Sequence, residues 1–259
     1  DVQTRIAAVR RTNEELRRVR SELLTAHGYP ADYTEIRYEC PLCGDTGFVD
    51  TKMCICMKKK FIEAGFEASG MGNLLREQSF ENFDLSYYQN DPAAARRMEQ
   101  ILARMKQYAE TFEAGKSGNL VLFGGTGLGK THLSTSVAKT VLDAGFDVVY
   151  DTAQGVFSAF EAAQFGRDAD AGEDKYLRCE LLIMDDLGTE LTNNFTVSCL
   201  YNIINTRLNN NLSTIINTNL THSELRARYA DRITSRLFGE FRPLMFTGND
   251  IRREKLKRG

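Results

Sequence analysis

The chain has 259 residues, 42% apolar and 26% charged, with a net charge of −2 and an isoelectric point near 6.0. That is enough chain for one good-sized core plus an appendage, and too apolar for a largely disordered protein. The near-neutral balance excludes a general electrostatic attraction to nucleic acid and leaves only local patches. No apolar run approaches the roughly 20 residues of a membrane span. The N-terminal DVQTRIAAVRRTNEELRRVR has no apolar core of a secretory signal, so no membrane partner and a cytoplasmic location are expected. The absence of a starting Met leaves room for upstream residues.

Residues 1–27 predict a helix: Val2, Val9, Leu16 and Leu23 recur every seven residues, with Ile6 and Val19 beside them, and Gly28 and Pro30 end it. The companion seam is weak, since Asn13 and Arg20 occupy it. The stripe suits packing on the chain's own surface or docking on a partner. Then comes YECPLCGDTGFVDTKMCIC, with four of the six cysteines, closed by Lys58–Lys60. Residues 61–95, with EASGMGN and the aromatic-rich SFENFDLSYY, read as a connector.

From about residue 97 the pattern turns regular. The helical RRMEQILARMKQYAETF leads into the strand NLVLF, and Leu133, Val137 and Val141 mark a helix face that Gly145 ends. DVVYD, LLIMDD, STIINT and PLMFTG read as further strands. Helices over 153–165, FTVSCLYNIINTRL, THSELRARY and RITSRLFGEF alternate with them. Thr221 with Glu224 forms a capping-box signature. Short apolar runs alternating with helices predict an α/β fold: a parallel five-stranded sheet between helices. The expected division is 1–60 for the helix and cysteine module, 61–95 for the connector and 96–259 for the α/β domain.

Residues 124–131, GGTGLGKT, match G-x-x-x-x-G-K-[ST] between a strand and a helix, as a phosphate-binding loop requires. Gly124, Gly127 and Gly129 let backbone N–H groups curl round a phosphate, and the helix N-terminus adds its dipole. Lys130 can reach the β- and γ-phosphates, and the Thr131 hydroxyl can ligate Mg²⁺. Gly125, Thr126, Leu128 and the following His132 complete the candidate nucleotide-binding set. LLIMDD ends a buried strand in two carboxylates where doubly wound sheets bind ligands. Asp185 is the expected Mg²⁺ partner, and Asp186 the base that orients the attacking water. The next strand ends in Asn217-Thr218-Asn219, where an amide can meet a γ-phosphate or its attacking water.

GGTGLGKTH, LLIMDDLGTE, INTNL, DRITSRL and the terminal GNDIRREK occur in the order of an AAA+ ATPase. More narrowly, the chain resembles bacterial replicative-helicase loaders of the DnaC/DnaI type and the related IstB transposition ATPases, over roughly residues 78–259. The resemblance implies that Asn219 is the sensor-1 polar residue. It implies that Arg236 is an arginine finger acting on a neighbour's ATP, with Arg232 as a helper, and that Arg252 is the sensor-2 arginine for its own γ-phosphate. Arginine suits both roles as a permanent, forked donor. With seven residues after Arg252, no C-terminal helical lid is expected. Asp186 stands where many AAA+ proteins have Glu, which implies slow hydrolysis. The implied function is loading a hexameric replicative helicase onto single-stranded DNA, with ATP and Mg²⁺ as cofactors and self-association into a ring or spiral. A transposase helper, a P-loop small-molecule kinase and a non-hydrolysing ATP-gated adaptor are the alternatives. Phe80 and Phe83 would lie near the base, or simply in the core. Lys58–Lys60, the RREKLKR tail, Tyr87, Tyr88 and Phe160 are candidate DNA contacts.

Cys40-x2-Cys43 is a usual metal knuckle, and with Cys54-x-Cys56 it makes four thiolates, with Gly44 and Gly47 to allow tight turns. In a reducing compartment such a cluster is expected to hold metal rather than form disulfides. The segment also resembles the zinc segment of DnaI-like loaders. A structural Zn²⁺ on Cys40, Cys43, Cys54 and Cys56 is the expectation, with His27 as a substitute ligand or a redox role for Cys40 and Cys43 as alternatives. Cys179 and Cys199 read as core.

Overall fold

The computed structural model describes residues 1–68, 72–164 and 172–258, so part of EASGMGN and the end of the helix expected over 153–165 lie outside the described residues. Contacts divide the chain into two compact units, Asp1–Cys54 and Ile55–Gly259.

In the first unit, helix α1 (Val2–Ala26) is capped by Asp1, whose side chain accepts from the Gln3 N–H. None of its residues is buried, and Val2, Val9, Leu16 and Leu23 are all exposed. His27 Nδ1 lies 2.9 Å from the Leu23 carbonyl at the helix end, and the described metal-ligand cluster contains cysteines alone. The cysteine segment folds as a hairpin, β1 (Phe48–Val49) antiparallel to β2 (Lys52–Met53). Asp50, in a left-handed conformation (φ +54°), turns it.

In the second unit a five-stranded sheet has the order β4-β5-β6-β3-β7, every pair parallel. Its strands are β3 (Asn119–Phe123), β4 (Val148–Thr152), β5 (Leu181–Leu187), β6 (Ser213–Thr218) and β7 (Phe241–Met245). Pro243 is tolerated because β7 is an edge strand, paired only with β3. The two-residue alternation sends side chains to two cores. Leu181, Ile183, Ile215 and Leu122 pack with helices α4 (Pro92–Glu110) and α5 (Lys130–Asp143). Leu182, Met184, Ile216 and Val121 pack with α6 (Ala153–Gln164), α8 (Asn194–Asn209) and α10 (Asp231–Glu240).

The stretch expected as a connector is instead largely built into this unit. It holds helices α2 (Ile55–Ala68) and α3 (Gly72–Glu77) and a 3₁₀ turn at Leu85–Tyr88. Leu75, Phe80, Phe83 and Tyr88 are buried in the α4–α5 core. The SFENFDLSYY aromatics supply apolar area that α4 and α5 do not cover, which the connector reading of this stretch did not anticipate. Two short helices complete this part: α7 (Glu173–Arg178), and α9 (His222–Arg228) with the Thr221–Glu224 capping box in place. Helix α11 (Ile251–Arg258) follows β7.

Arg207 on α8, which looks like an ordinary helix-surface residue in the sequence, has no exposed surface. Its guanidinium donates to the carbonyls of Tyr176, Cys179 and Ser213 and to Thr214 Oγ1. It therefore ties the approaches to β5 and β6 together. Cys179 and Cys199 are buried in the second core, and burial pushes their thiols up to about 11 and about 12.

Candidate nucleotide site and cysteine cluster

The C-terminal ends of β3, β6 and β5 lie side by side, because β6 is inserted between the other two. Neighbouring strands are about 4.8 Å apart, so side chains of the β3 loop must reach across β6 to meet β5. Thr131 does so, and Lys130 reaches as far as the end of β6. Lys130 Nζ donates to Asn219 Oδ1 at 2.7 Å, just past β6, and to the Gly124 and Gly125 carbonyls at 2.7 and 2.8 Å. Thr131 Oγ1 donates to Asp185 Oδ2 at 2.9 Å.

The loop's shape depends on its glycines at two points where other chain comes close. A Cβ on Gly129 (φ +84°) would sit 2.8 Å from the Phe83 ring and 3.0 Å from the Tyr88 hydroxyl. A Cβ on Gly127 (φ +75°) would sit 2.0 Å from Asp250 Oδ1. The loop is thus gripped from both sides. The Tyr88 hydroxyl donates to the Leu128 carbonyl at 2.9 Å, and the Ile251 N–H donates to the Gly127 carbonyl at 3.0 Å. With Gly129 at the N-cap, α5 has no side-chain cap, which suits its first-turn N–H groups to an anion.

Asp185 is 3% exposed and accepts four hydrogen bonds. Oδ2 accepts from Thr131 and the Tyr150 hydroxyl, and Oδ1 from Asn217 Nδ2 and the Asp186 N–H. A register shift between Met184 and Leu187 breaks the β5–β6 ladder here, and Asp186 takes a left-handed conformation (φ +55°). The irregularity turns Asp186 into the cleft, a common use of a bulge beside a site. Burial, and then the charge of Asp185, raise the Asp186 carboxyl above the ordinary carboxylate range; Lys130, the Asn219 hydrogen bond (3.2 Å) and Arg252 oppose the rise. Burial lowers Lys130, against the pull of Asp186 and Asp185.

One cleft of ≈ 380 Å³, within the size range of small-molecule sites, is lined by Thr126 through His132, Asp185, Asp186, Asn219 and Arg252. Leu74, Phe83 and Tyr87 give it an apolar side. Arg252 is brought there by α11, whose first turn is held by Asp250 Oδ1 accepting from the Arg252 N–H at 2.9 Å. His132 packs edge-on against Phe83, and its Nε2 lies 2.9 Å from the Ser79 carbonyl. Burial lowers its basicity, so the neutral ring braces the SFENF stretch against α5.

Arg236 is not in this cleft. Its guanidinium donates to Asn205 Oδ1 at 3.0 Å and to the Arg232 carbonyl at 3.1 Å, and lies 4.8 Å above the Tyr201 ring. Arg232 lies over the same ring at 4.6 Å. Of the candidate DNA contacts, Lys59 is paired with Asp143, Tyr88 is buried and Tyr87 lines the cleft. Phe160 lies 6.1 Å from Tyr176.

Sequence reasoning missed Tyr150 and Glu190; of the Asn217-Thr218-Asn219 amides expected to face a phosphate or water, Asn217 instead donates to Ser134 Oγ and Asp185 Oδ1. The DVVYD strand has a tyrosine where an aliphatic residue would suit the core, which was the available signal. Glu190, buried past β5, accepts from the Gly188 N–H at 2.8 Å and from Tyr229, while Arg228 donates to its carbonyl.

The four sulfurs of Cys40, Cys43, Cys54 and Cys56 lie within 4.8 Å of one another. Asp45 (φ +62°) braces the knuckle by accepting from the Cys40 and Glu39 N–H groups. The hairpin returns Cys54 to Cys40, and Cys56 falls in the first turn of α2, where the helix dipole favours a thiolate. The Cys40 and Cys54 sulfurs are 3.7 Å apart. Disulfide sulfurs lie about 2.05 Å apart, whereas Zn–S bonds of about 2.3 Å put tetrahedral sulfurs about 3.8 Å apart. The donor set and spacing fit a closed zinc site.

A parallel sheet with a glycine-rich loop opening a helix, a lysine inside that loop and a buried aspartate on the second strand over define a P-loop nucleotide-binding domain of the AAA+ type. A family model described as IstB-like ATP binding protein matches residues 66–240. The chain belongs to that family. The chromosomal replication initiator protein DnaA of Rickettsia bellii (strain OSU 85-389) is 27% identical over 175 residues, 66% of this chain and 38% of that protein. The chain thus spans well under half the length of that curated relative. The crystal structure of DnaI covers 69% of this chain and 92% of its own, with TM-score 0.56 and 22% identity. That of the DnaC helicase loader covers 65% and 98%, with TM-score 0.56 and 21% identity. Both share the fold.

Proposed function

We propose that this chain is an ATP-hydrolysing helicase loader of DNA replication, which places a hexameric replicative helicase on single-stranded DNA and uses ATP as its switch. The carrying observation is that Lys130, Thr131, Asp185, Asp186, Asn219 and Arg252, drawn from four separate segments, line one cleft. The loop N–H groups and Lys130 bind the phosphates. Thr131 and Asp185 offer two hard oxygens 2.9 Å apart, which fit Mg²⁺. That ion, when bound, neutralises charge on the β- and γ-phosphates. Asp186 accepts the proton of the attacking water as the new P–O bond forms and the bond to the ADP oxygen breaks. Asn219, already bonded to both Lys130 and Asp186, orients that water. Arg252 meets the γ-phosphate of its own subunit, and Arg236, outside the cleft, that of a neighbour in a ring or spiral. The cysteine module, with structural zinc, and α1 carry the partner contact from a cytoplasmic protein.

An arginine finger in trans is worth roughly 10³–10⁵ in rate in related phosphoryl-transfer enzymes. The lone chain should therefore bind ATP and hydrolyse it slowly, and turnover should rise with a hexameric helicase and single-stranded DNA. Arg236→Ala should abolish that rise; an undiminished rise would remove the finger assignment. Stimulation by a transposase rather than a helicase would favour the transposase-helper reading, which the IstB-like match supports.

A further inference from the structure

Asp185 is held by more than the phosphate loop. Tyr150 on β4 is 3% exposed, and its hydroxyl donates to Asp185 Oδ2 at 2.8 Å and lies 3.0 Å from Ser134 Oγ on α5. Asn217 on β6 is fully buried, and its Nδ2 donates to Asp185 Oδ1 and to Ser134 Oγ, each at 2.8 Å. The four side chains close a ring. It follows from register: Tyr150 pairs with Ile183, two residues before Asp185, so both project to the α5 face of the sheet. Asn217 is two residues past Ile215, the partner of Ile183 on the other side.

A phenylalanine would fill the Tyr150 position without burying a hydroxyl, and an aliphatic residue would fill that of Asn217. What the polar groups add is one donor on each carboxylate oxygen, independent of Thr131. The Thr131 hydroxyl also donates to Oδ2, so it cannot alone set the carboxylate plane while serving as a ligand itself.

We propose that Tyr150 and Asn217 are positioning residues for the magnesium-dependent step: from the strands flanking β5, they lock the Asp185 carboxylate in the orientation the cation needs. The proposal rests on the reading of this cleft as an ATP–Mg²⁺ site. Residues that orient a metal ligand typically change metal affinity by roughly 10–100-fold when removed.

The test measures binding of ATP to the full chain in EDTA and across a Mg²⁺ titration, with kcat and KM taken at saturating Mg²⁺. Tyr150→Phe keeps the ring and should keep the thermal midpoint and the EDTA affinity. The Mg²⁺ concentration that half-tightens ATP binding should rise by roughly 10-fold or more. Excess Mg²⁺ should restore KM before kcat. Asn217→Leu, of similar volume, is the second variant and should show the same split. An unchanged Mg²⁺ midpoint in a folded variant overturns the proposal, as does equal loss of affinity with and without Mg²⁺, which marks a role in loop packing. Parent protein that binds no ATP, or binds it without regard to Mg²⁺, overturns the ATP–Mg²⁺ reading first and the proposal with it.

Discussion

Alanine at Gly127 should destabilise the second unit through Asp250 rather than through the loop alone. Two costs can be separated. The φ of +75° places a non-glycine residue in the left-handed region, at roughly 1–2 kcal/mol. The new Cβ would also lie 2.0 Å from Asp250 Oδ1 and 2.5 Å from its Cγ, so the Asp250 side chain must turn away. That side chain accepts from the Arg252 N–H at the start of α11, and losing such a cap costs about 1 kcal/mol. Gly127→Ala should therefore cost about 2–3 kcal/mol, roughly 4–12 °C in midpoint for a domain of this size. Asp250→Ala alone should cost about 1 kcal/mol. The double variant has no side chain left to displace and has already lost the cap, so it should match Gly127→Ala. The cycle predicts about 1 kcal/mol of non-additivity, read by urea unfolding of the ligand-free protein. Strictly additive losses would refute the claim that Gly127 is glycine because Asp250 needs the space.

Asp186→Asn should separate stability from turnover. The Asp186 carboxyl is raised by burial and by Asp185. Such a group contributes stability that is fully present below its unfolded value and lost as pH rises through its folded value. At pH 7 the charge is therefore a net cost, and asparagine, which tolerates the left-handed backbone, should raise the thermal midpoint. The gain should fade as pH falls to the ordinary carboxylate range, and hydrolysis should drop by roughly 10²–10⁴ with ATP still bound; a lower midpoint at pH 7 would contradict the electrostatics. Chelation should expose amides near residues 38–56 to hydrogen exchange while ATP affinity holds, since structural zinc is worth an apparent 10–16 kcal/mol or so in small domains. Cys43→Ser should act in the same direction, and loss of ATP binding on chelation would count against separate modules.

Some of this protein is written locally in its sequence. The phosphate loop is eight contiguous residues, whose glycines act through their backbone and whose lysine and threonine act through their side chains. The Thr221–Glu224 box spans four residues, and the period-two and helical stripes set the strands and helices. The cysteine spacing belongs to the same class, because a hairpin of fixed length brings Cys54 back to Cys40. The rest was decided by the strand order. Only in the order β4-β5-β6-β3-β7 does β5 lie between Tyr150 and Asn217, and only then can Lys130 reach Asn219. The same packing buries Arg207 against three carbonyls and draws the SFENFDLSYY aromatics into the core. It leaves Arg236 outside the cleft that holds Arg252. Contacts within a turn of helix or a tight loop follow from neighbouring residue types. Contacts across a sheet follow from which strands pair, and no short stretch of chain contains that information.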